Sequence, residues 1–221
     1  MNLSIYNSII FDCDGVILNS NKIKTEGFRI TTKNFKREDT ELLIKFHLLN
    51  GGISRFKKFE YFLDKILPSD PSRKRNLLLE EFLDKYQSYT QQEMLNSEVT
   101  SELNSLRLNT KNKKWFIVSG GEQNQLESIF KYKKIDHLFD GGIYGSPKDK
   151  DQIFKEEISK GNLVLPSLYL GDSKYDHIVS NLNGLDFIFV YEWTEFKEYE
   201  KYCNKFDIQK IGSINYLKNF F

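Results

Sequence analysis

The chain has 221 residues, of which 32 are Lys or Arg and 31 are Asp or Glu, so its formal net charge is +1. This balance argues against nucleic-acid binding through a basic face, because phosphate neutralisation needs a concentrated positive surplus. No apolar run approaches the roughly 18 residues that a membrane span requires, and a hydrophobic content of 39% argues against disorder.

Along the chain, short apolar runs alternate with helical patterns. The runs that predict buried strands lie at residues 9–11, 115–118, 168–170 and 187–190. The helical patterns lie at residues 122–132, 150–160, 176–183 and 194–202. This alternation predicts an α/β fold with a Rossmann-like, mainly parallel sheet that is covered on both faces.

Residues 21–92 break the alternation and show helical spacing almost throughout. Pro68 and Pro71 separate two of its predicted helices. Such a length without a strand signal is too long for an ordinary crossover. It predicts an all-helical cap over residues 19–94, inserted in a discontinuous core of residues 1–18 and 95–221. The alternative is a larger single α/β domain with extra helices.

Two aspartates, Asp12 and Asp14, follow the first predicted strand, with Cys13 between them and Gly15 after them. Strand periodicity directs both carboxylates to one side and Cys13 to the other. Ligands bind at the carboxyl ends of strands in open α/β sheets. We expect the carboxylates to titrate as a coupled pair, one ionised and one able to hold a proton. The alternative is a plain turn after a strand.

Three more polar elements follow in order, each after or between predicted strands. They are Ser119-Gly120-Gly121, the pair Lys148 and Lys150, and Gly171-Asp172-Ser173-Lys174-Tyr175-Asp176. Because the carboxyl ends of parallel strands meet at one edge of a sheet, all of these elements are predicted to converge there.

This ordered set resembles the four motifs of the haloacid dehalogenase superfamily, in its phosphatase branch. The motifs are Asp12-x-Asp14-Gly15-Val16, Ser119-Gly120, Lys150 and Gly171-Asp172-x-x-x-Asp176. The resemblance covers essentially the whole chain and implies a Rossmann-like core. It also explains the predicted insertion, because members similar to phosphoglycolate phosphatase and β-phosphoglucomutase carry a helical cap between the first two motifs. The dehalogenase branch is disfavoured, since it lacks the second aspartate, here Asp14.

The resemblance implies a role for each acidic residue. Asp12 would attack the substrate phosphorus, and Asp14 would protonate the leaving alcohol and then activate water. Asp172, the carboxylate of Asp12 and the backbone carbonyl of Asp14 would hold Mg²⁺. Asp176 would bond a metal-bound water or Lys150, with direct metal ligation as the alternative.

The phosphate-binding residues are implied in the same way. The Ser119 hydroxyl and the Gly120 N–H would hold phosphate oxygens, assisted by the dipole of the following helix; the alternative for Ser119 is a plain helix cap. Lys150 would supply the cation, with Lys148 as the second candidate. The cap loop would carry Arg55 to a substrate anion or hydroxyl, and the alternative is a glycine turn, a Ser54 N-cap and a solvated arginine.

The predicted function is a Mg²⁺-dependent phosphatase that hydrolyses a small phosphomonoester, such as a sugar, polyol or amino-alcohol phosphate, through an aspartyl-phosphate. The alternatives are a phosphomutase and a phosphoacceptor signalling module. The distant cysteines Cys13 and Cys203 and the lack of an apolar leader favour the cytoplasm. Residues 50–55 resemble hydrolases of surface-polysaccharide biosynthesis, which suggests carbohydrate metabolism. We treat His47, His137 and His177 as structural residues, and the oligomeric state stays open.

Overall fold

The structure, a computed structural model, describes residues 2–67 and 74–220, with side chains up to residue 218. Pro68 and Pro71 lie outside the described residues. The strands are β1 (Ser8–Phe11), β2 (Lys114–Glu122), β3 (Gly142–Ser146), β4 (Ser167–Gly171), β5 (Asp186–Val190) and β6 (Gln209–Ile211). They form one sheet in the order β3-β2-β1-β4-β5-β6, and every neighbouring pair is parallel. The predicted parallel α/β fold is confirmed.

Helices alternate with these strands and also fill the long segment between β1 and β2. The α-helices are α1 (Asn21–Thr32), α2 (Arg37–Leu49), α3 (Arg55–Tyr61), α4 (Arg75–Asn96), α5 (Leu103–Asn109), α6 (Gln123–Tyr132), α7 (Lys150–Ser159), α8 (Lys174–Leu182) and α9 (Tyr199–Lys205). A π-helical turn, Phe62–Ile66, continues α3. Within the described residues, no helix is both long enough and apolar enough to cross a bilayer.

Successive side chains of each strand point to opposite faces of the sheet, so one strand contributes to the packing on both faces. Ile9 and Phe11 of β1 pack in a cluster with residues of α6, whereas Ile10 between them packs in a second cluster with residues of α7. Cys13 continues the alternation and lies in the first cluster. The expectation that it points away from Asp12 is therefore confirmed.

Two strands and part of one helix differ from the sequence-based expectation. Neither β3 nor β6 was predicted, and both lie at edges of the sheet. The helix predicted at residues 194–202 is wrong in its first half, because the helix observed here spans Tyr199–Lys205. The Thr194 hydroxyl donates to the carbonyl of Asp172 and accepts from the N–H of Phe196, which holds this segment in an irregular conformation.

Helices α1 to α4, hereafter the helical insertion, have a hydrophobic cluster of their own. Phe28, Phe59, Phe62, Phe82 and Tyr86 are among its buried members. The segments before and after the insertion lie next to each other, because an isolated antiparallel bridge joins Leu18 to Val99. The predicted boundaries at residues 19 and 94 lie beside this bridge, and the division into two domains stays a prediction.

We expect Phe59→Ala to lower the free energy of unfolding by about 3–5 kcal/mol, because removing a buried ring leaves a cavity. Phe59 is fully buried, whereas Phe56 on the same helix is 45% exposed. Phe56→Ala is the matched control and should change stability by no more than about 0.5 kcal/mol. Urea titrations followed by far-ultraviolet circular dichroism measure both. Equal losses in the two variants would contradict the assigned core of the insertion.

Candidate active site

The predicted polar elements meet at the carboxyl ends of the central strands. Asp12 follows β1 directly, and Asp172 follows the neighbouring strand β4. Lys150 is the first residue of α7, which comes after β3. Asp176 lies in the first turn of α8, which follows β4. The structure therefore brings together residues from three separate parts of the chain.

Lys150 lies at the centre of this group, with only 1% of its side chain exposed. Its Nζ is 2.9 Å from Asp12 Oδ2 and 2.5 Å from Asp176 Oδ1. It also donates a hydrogen bond of 3.0 Å to the Tyr169 hydroxyl. Lys148 instead forms an exposed ion pair with Glu156. Of the two lysines considered from sequence, it is Lys150 that lies in the acidic group.

Asp176 is fully buried, and both of its carboxylate oxygens accept hydrogen bonds. Besides Lys150, the Tyr169 hydroxyl donates to its Oδ1 at 2.7 Å. The backbone N–H and the hydroxyl of Ser173 both donate to its Oδ2, at 3.1 and 2.7 Å. Ser173 also caps α8 by accepting from the Asp176 N–H. The predicted contact between Asp176 and Lys150 is present.

Asp12, Asp172 and Asp176 form a carboxylate cluster that could hold a cation. One oxygen from each lies within 4.8 Å of the others, and all three residues are buried. Hard divalent cations such as Mg²⁺ prefer carboxylate oxygens. The Asp14 carboxylate is outside this group; the Ser20 hydroxyl donates to its Oδ1 at 2.5 Å, and Lys24 lies 3.7 Å from its Oδ2. A contribution of the Asp14 carbonyl to metal binding stays a prediction.

Burial and mutual repulsion raise the pKa of two aspartates of the cluster, Asp12 and Asp172. Burial raises the pKa of Asp12 to about 7, Asp176 and Asp14 add to the increase, and Lys150 opposes it. Burial also raises the pKa of Asp172 well above its ordinary value, with the charges of Asp12 and Asp176 adding to the effect. Burial disfavours the Lys150 ammonium, but the carboxylates of Asp12 and Asp176 outweigh it and raise its pKa. Up to three negative charges thus face one ammonium, and a divalent cation would balance them.

Gly15 is required where the chain turns after the two aspartates. Its φ is +80°, a conformation that favours glycine. A Cβ placed on it would lie 2.3 Å from Asp172 Oδ2 and 2.4 Å from Asn21 Nδ2. Asn21 itself donates to Asp172 Oδ2 at 2.6 Å and to the carbonyl of Trp193 at 3.0 Å. The missing side chain of Gly15 therefore lets Asn21 and Asp172 meet beside the cluster.

Ser119, Gly120 and Gly121 form the end of β2, where the register with β3 shifts after Val118. Ser119 is fully buried, and its Oγ accepts from the Gly121 N–H at 3.0 Å. Its hydroxyl proton is left to donate elsewhere. The N-cap of α6 is Glu122 and not Ser119, because the Glu122 carboxylate accepts from the N–H groups of Asn124 and Gln125. The alternative of a helix cap is thus wrong for Ser119.

The helical insertion covers these loops from above. A Cβ on Gly120 would lie 2.3 Å from the carbonyl oxygen of Gly52, and one on Gly52 would lie 2.9 Å from Ser173 Oγ. The loop between α2 and α3 therefore lies directly on the ends of β2 and β4. The space between the helical insertion and the sheet, which is partly open to solvent, is hereafter called the cleft. Asp12, Asp14 and Asp172 line it on the sheet side.

Arg55 lines the cleft from the insertion side and is buried, with 9% exposure. The alternative of a solvated arginine is therefore wrong. Its Nη1 donates to Gln125 Oε1 at 2.8 Å and its Nη2 to Gln87 Oε1 at 2.6 Å. Ser54 does cap α3, because its side chain accepts from the Lys57 N–H. A contact between Arg55 and substrate stays a prediction.

Several residues of the site were missed from the sequence. Asn21, Lys24 and Lys58 line the cleft from the helical insertion, and Tyr169 reaches the cluster from within β4. None of them belongs to a motif with fixed spacing. The one available signal was the period of α1, because Asn21 and Lys24 are three positions apart and share one helix face.

Comparisons with known proteins agree with this geometry. Residues 9–190 match the haloacid dehalogenase-like hydrolase family. A haloacid dehalogenase-like hydrolase from Streptococcus pneumoniae superposes with a TM-score of 0.72 at 17% identity, covering 99% of this chain and 100% of that one. A predicted phosphatase from Clostridium acetobutylicum gives 0.71 at 21% identity, covering 96% of each chain. A β-phosphoglucomutase from Clostridium difficile gives 0.68 at 22%, covering 95% and 92%. Among curated protein sequences, none matches significantly.

We expect Lys150→Met to lower the free energy of unfolding by about 3–5 kcal/mol, because it leaves two buried carboxylates without their cation. Lys148→Met, which removes only an exposed pair, is the matched control and should stay within about 0.5 kcal/mol. Denaturant titrations in the presence of a chelator measure both variants. If Lys150→Met were as stable as the control, the charge balance assigned to the cluster would be wrong.

We expect Gly120→Ala to displace the loop of the helical insertion, since the new Cβ would overlap the Gly52 carbonyl. Hydrogen exchange at the amides of residues 51–53 should become faster by about tenfold or more as this contact opens. Gly121→Ala is the control, because its Cβ would meet only side chains, at 3.1 Å or more. Unchanged exchange in Gly120→Ala would show that the loop does not rest on β2.

Proposed function

The chain belongs to the haloacid dehalogenase-like hydrolase family, and on this premise we propose that it is a Mg²⁺-dependent phosphatase that hydrolyses a small phosphomonoester through an aspartyl-phosphate on Asp12. The observation that carries the proposal is the buried carboxylate cluster around Lys150, open to a covered cleft on the side of Asp12 and Asp172. Clustered acids of this kind are suited to phosphoryl transfer only when positive charge compensates them.

The residues of the cluster fit a Mg²⁺ ion. Asp12 and Asp172 would hold it, with the Asp14 carbonyl and waters completing the ligands. Asp176 is already engaged by Lys150, Tyr169 and Ser173, so its part is to orient the lysine, and direct ligation is the less favoured role. When bound, the ion would neutralise charge on the phosphoryl oxygens and favour the ionised form of Asp12.

The chain's own residues perform two displacements at phosphorus. A carboxylate oxygen of Asp12 forms a bond to phosphorus while the bond to the substrate's ester oxygen breaks, and Asp14 gives its proton to the departing alcohol. A water molecule then attacks the aspartyl-phosphate and loses its proton to Asp14. The bond between phosphorus and Asp12 breaks, and inorganic phosphate leaves.

Ser119, Gly120 and Lys150 would hold the phosphate oxygens. The free hydroxyl proton of Ser119 and the N–H of Gly120 are donors at the end of β2, beside the start of α6. Lys150 lies against Asp12, so its ammonium supplies positive charge next to the attacked phosphorus.

The helical insertion would act as the cap that selects a small substrate. Its loop rests on Gly120, and such a cover would exclude bulky ligands and part of the water from the cleft. The substrate class proposed from the sequence, a sugar, polyol or amino-alcohol phosphate, consists of small molecules of the kind that a covered cleft would select. The reduced cysteines Cys13 and Cys203 suit the cytoplasm, and carbohydrate metabolism is the proposed setting.

A phosphate-release assay over small phosphomonoesters tests the proposal. We expect turnover with Mg²⁺ and loss of turnover after metal chelation. Asp12→Asn should reduce release to background, and Asp14→Asn should reduce it by about 10²–10⁴-fold, the usual contribution of a general acid. Mass spectrometry of acid-quenched enzyme should detect a phosphorylated peptide containing Asp12.

Asp84→Asn, which changes an exposed carboxylate on α4, is the control and should keep full turnover. Undiminished turnover in Asp12→Asn would eliminate the covalent mechanism. Transfer of the phosphoryl group to a second position of a sugar phosphate, with little phosphate released, would instead identify a phosphomutase.

A further inference from the structure

A buried lysine of the helical insertion faces the cleft without an acidic partner. Lys58 on α3 lines the cleft and is only 4% exposed. Its ammonium lies 5.7 Å from the centre of the Phe28 ring and 2.8 Å from Nδ1 of His47. Within the described parts of the chain, no carboxylate forms an ion pair with it. A cation buried without a counter-ion is costly, so its environment needs an explanation.

The hydrogen bonds beside Lys58 fix the direction in which it donates. The Thr25 hydroxyl lies 2.5 Å from the carboxylate of Glu195, which can only accept. The single hydroxyl proton of Thr25 is thereby used. The contact of 2.9 Å between Thr25 Oγ1 and His47 Nε2 must then be donated by the histidine. In neutral His47 the other nitrogen, Nδ1, therefore accepts from Lys58.

This assignment leaves the Lys58 ammonium with unused donors. One of its three N–H groups goes to His47, and the described residues supply no other hydrogen-bond acceptor for it. Burial lowers the pKa of Lys58 to about 7; the negative charges of Asp14 and Asp172 oppose this effect, and the positive charges of Lys24 and Lys150 add to it. Burial lowers the pKa of His47 as well, and the positive charge of the neighbouring Lys58 adds to this effect. An anion in the cleft would give the Lys58 ammonium a counter-ion and an acceptor for its unused N–H groups.

Arg55, which lies one turn earlier on α3, is also buried without an ion-pair partner among the described residues. Its described hydrogen bonds go to the neutral amide oxygens of Gln125 and Gln87. The insertion side of the cleft thus presents two buried cations with neutral partners. The remaining cations of the cleft differ, because Lys24 pairs with Asp14 and Lys174 is only half-buried.

We propose that the substrate carries a second anionic group, a carboxylate or a second phosphate, which Lys58 binds with the support of Arg55. This inference rests on the proposed function, which assigns the first phosphate to the sheet side of the cleft. It narrows the substrate class, because an amino-alcohol phosphate would place a cation against Lys58 and Arg55 and is disfavoured.

Matched substrate pairs test the inference in the unmodified enzyme with Mg²⁺. The first pair is 3-phosphoglycerate and glycerol 3-phosphate, which differ in a carboxylate. The second pair is propane-1,3-diol bisphosphate and its monophosphate, which differ in a phosphate. We expect kcat/KM to be higher for the anionic member of at least one pair by about tenfold to a hundredfold, the range for a hydrogen bond to a charged group. The pair that shows this ratio identifies the anion.

Lys58→Met should reduce the ratio to about one, because it removes the ammonium and keeps the length of the side chain. Lys57→Met is the matched control on the same helix. Lys57 is exposed and pairs with Asp149, so its removal should leave the ratio unchanged. Lys58→Arg should keep most of the preference. A ratio measured within one variant is insensitive to general loss of activity, and thermal unfolding checks that each variant folds.

Phosphate release without preference in either pair would overturn the inference and leave the proposed function standing. No release from any phosphomonoester would instead count against the proposed function. In that case calorimetric titration of 3-phosphoglycerate and the bisphosphate into the unmodified protein and Lys58→Met tests the subsite without turnover. Weaker binding of either compound to Lys58→Met supports the subsite, and equal or absent binding of both overturns it.

Discussion

The ammonium of Lys150 is the interaction on which this site depends. Two unit charges 4 Å apart repel by about 4 kcal/mol at an effective dielectric constant near 20. Asp12 and Asp176, from different elements, could not both be buried as carboxylates without a cation between them. Lys150 supplies it from a third element, and the strand order places β1 between β2 and β4 so that all three elements reach one point. The same pairing ties α7 and α8 to the end of β1.

The sheet could be predicted where its strands are central and apolar. The two missed strands lie at the edges, and their sequences show why. β3 (Gly142–Ser146) has glycines at two of five positions, and β6 (Gln209–Ile211) has only three residues, two of them polar. Edge strands are half-solvated and need no continuous apolar run. The irregular start of the last helical pattern, at Thr194, is set by a contact with the Asp172 carbonyl. The hydrophobic periodicity of the sequence cannot reveal a contact between residues that are distant along the chain.

The candidate site could be predicted where its residues follow strands, because topology alone brings those positions together. Asp12 and Asp172 were placed in this way, whereas the strand before Lys150 was not predicted and the choice of that lysine was implied by the resemblance. Lys58 and Asn21 were not, since their positions depend on how the helical insertion docks on the sheet. Docking of one helical unit on another surface is decided by many side-chain contacts over long sequence separations. A single sequence carries no short-range signal for it.

Polar and apolar contacts both join the insertion to the sheet, and Met94, Ile23 and Leu95 of the insertion pack in the first cluster of the sheet. Asn21 with Asp172, Arg55 with Gln125, and Thr25 with Glu195 are hydrogen bonds, and Lys57 with Asp149 is an exposed ion pair. The apolar cluster of the insertion is separate from the two clusters of the sheet. Breaking these polar contacts would expose groups that water can satisfy, and the net free energy of such hydrogen bonds is small. A substrate with its phosphate beside Lys150 and its second anion on Lys58 would add charged contacts to both sides of this interface. Binding of the proposed substrate and closure of the cleft are thus expected to stabilise each other.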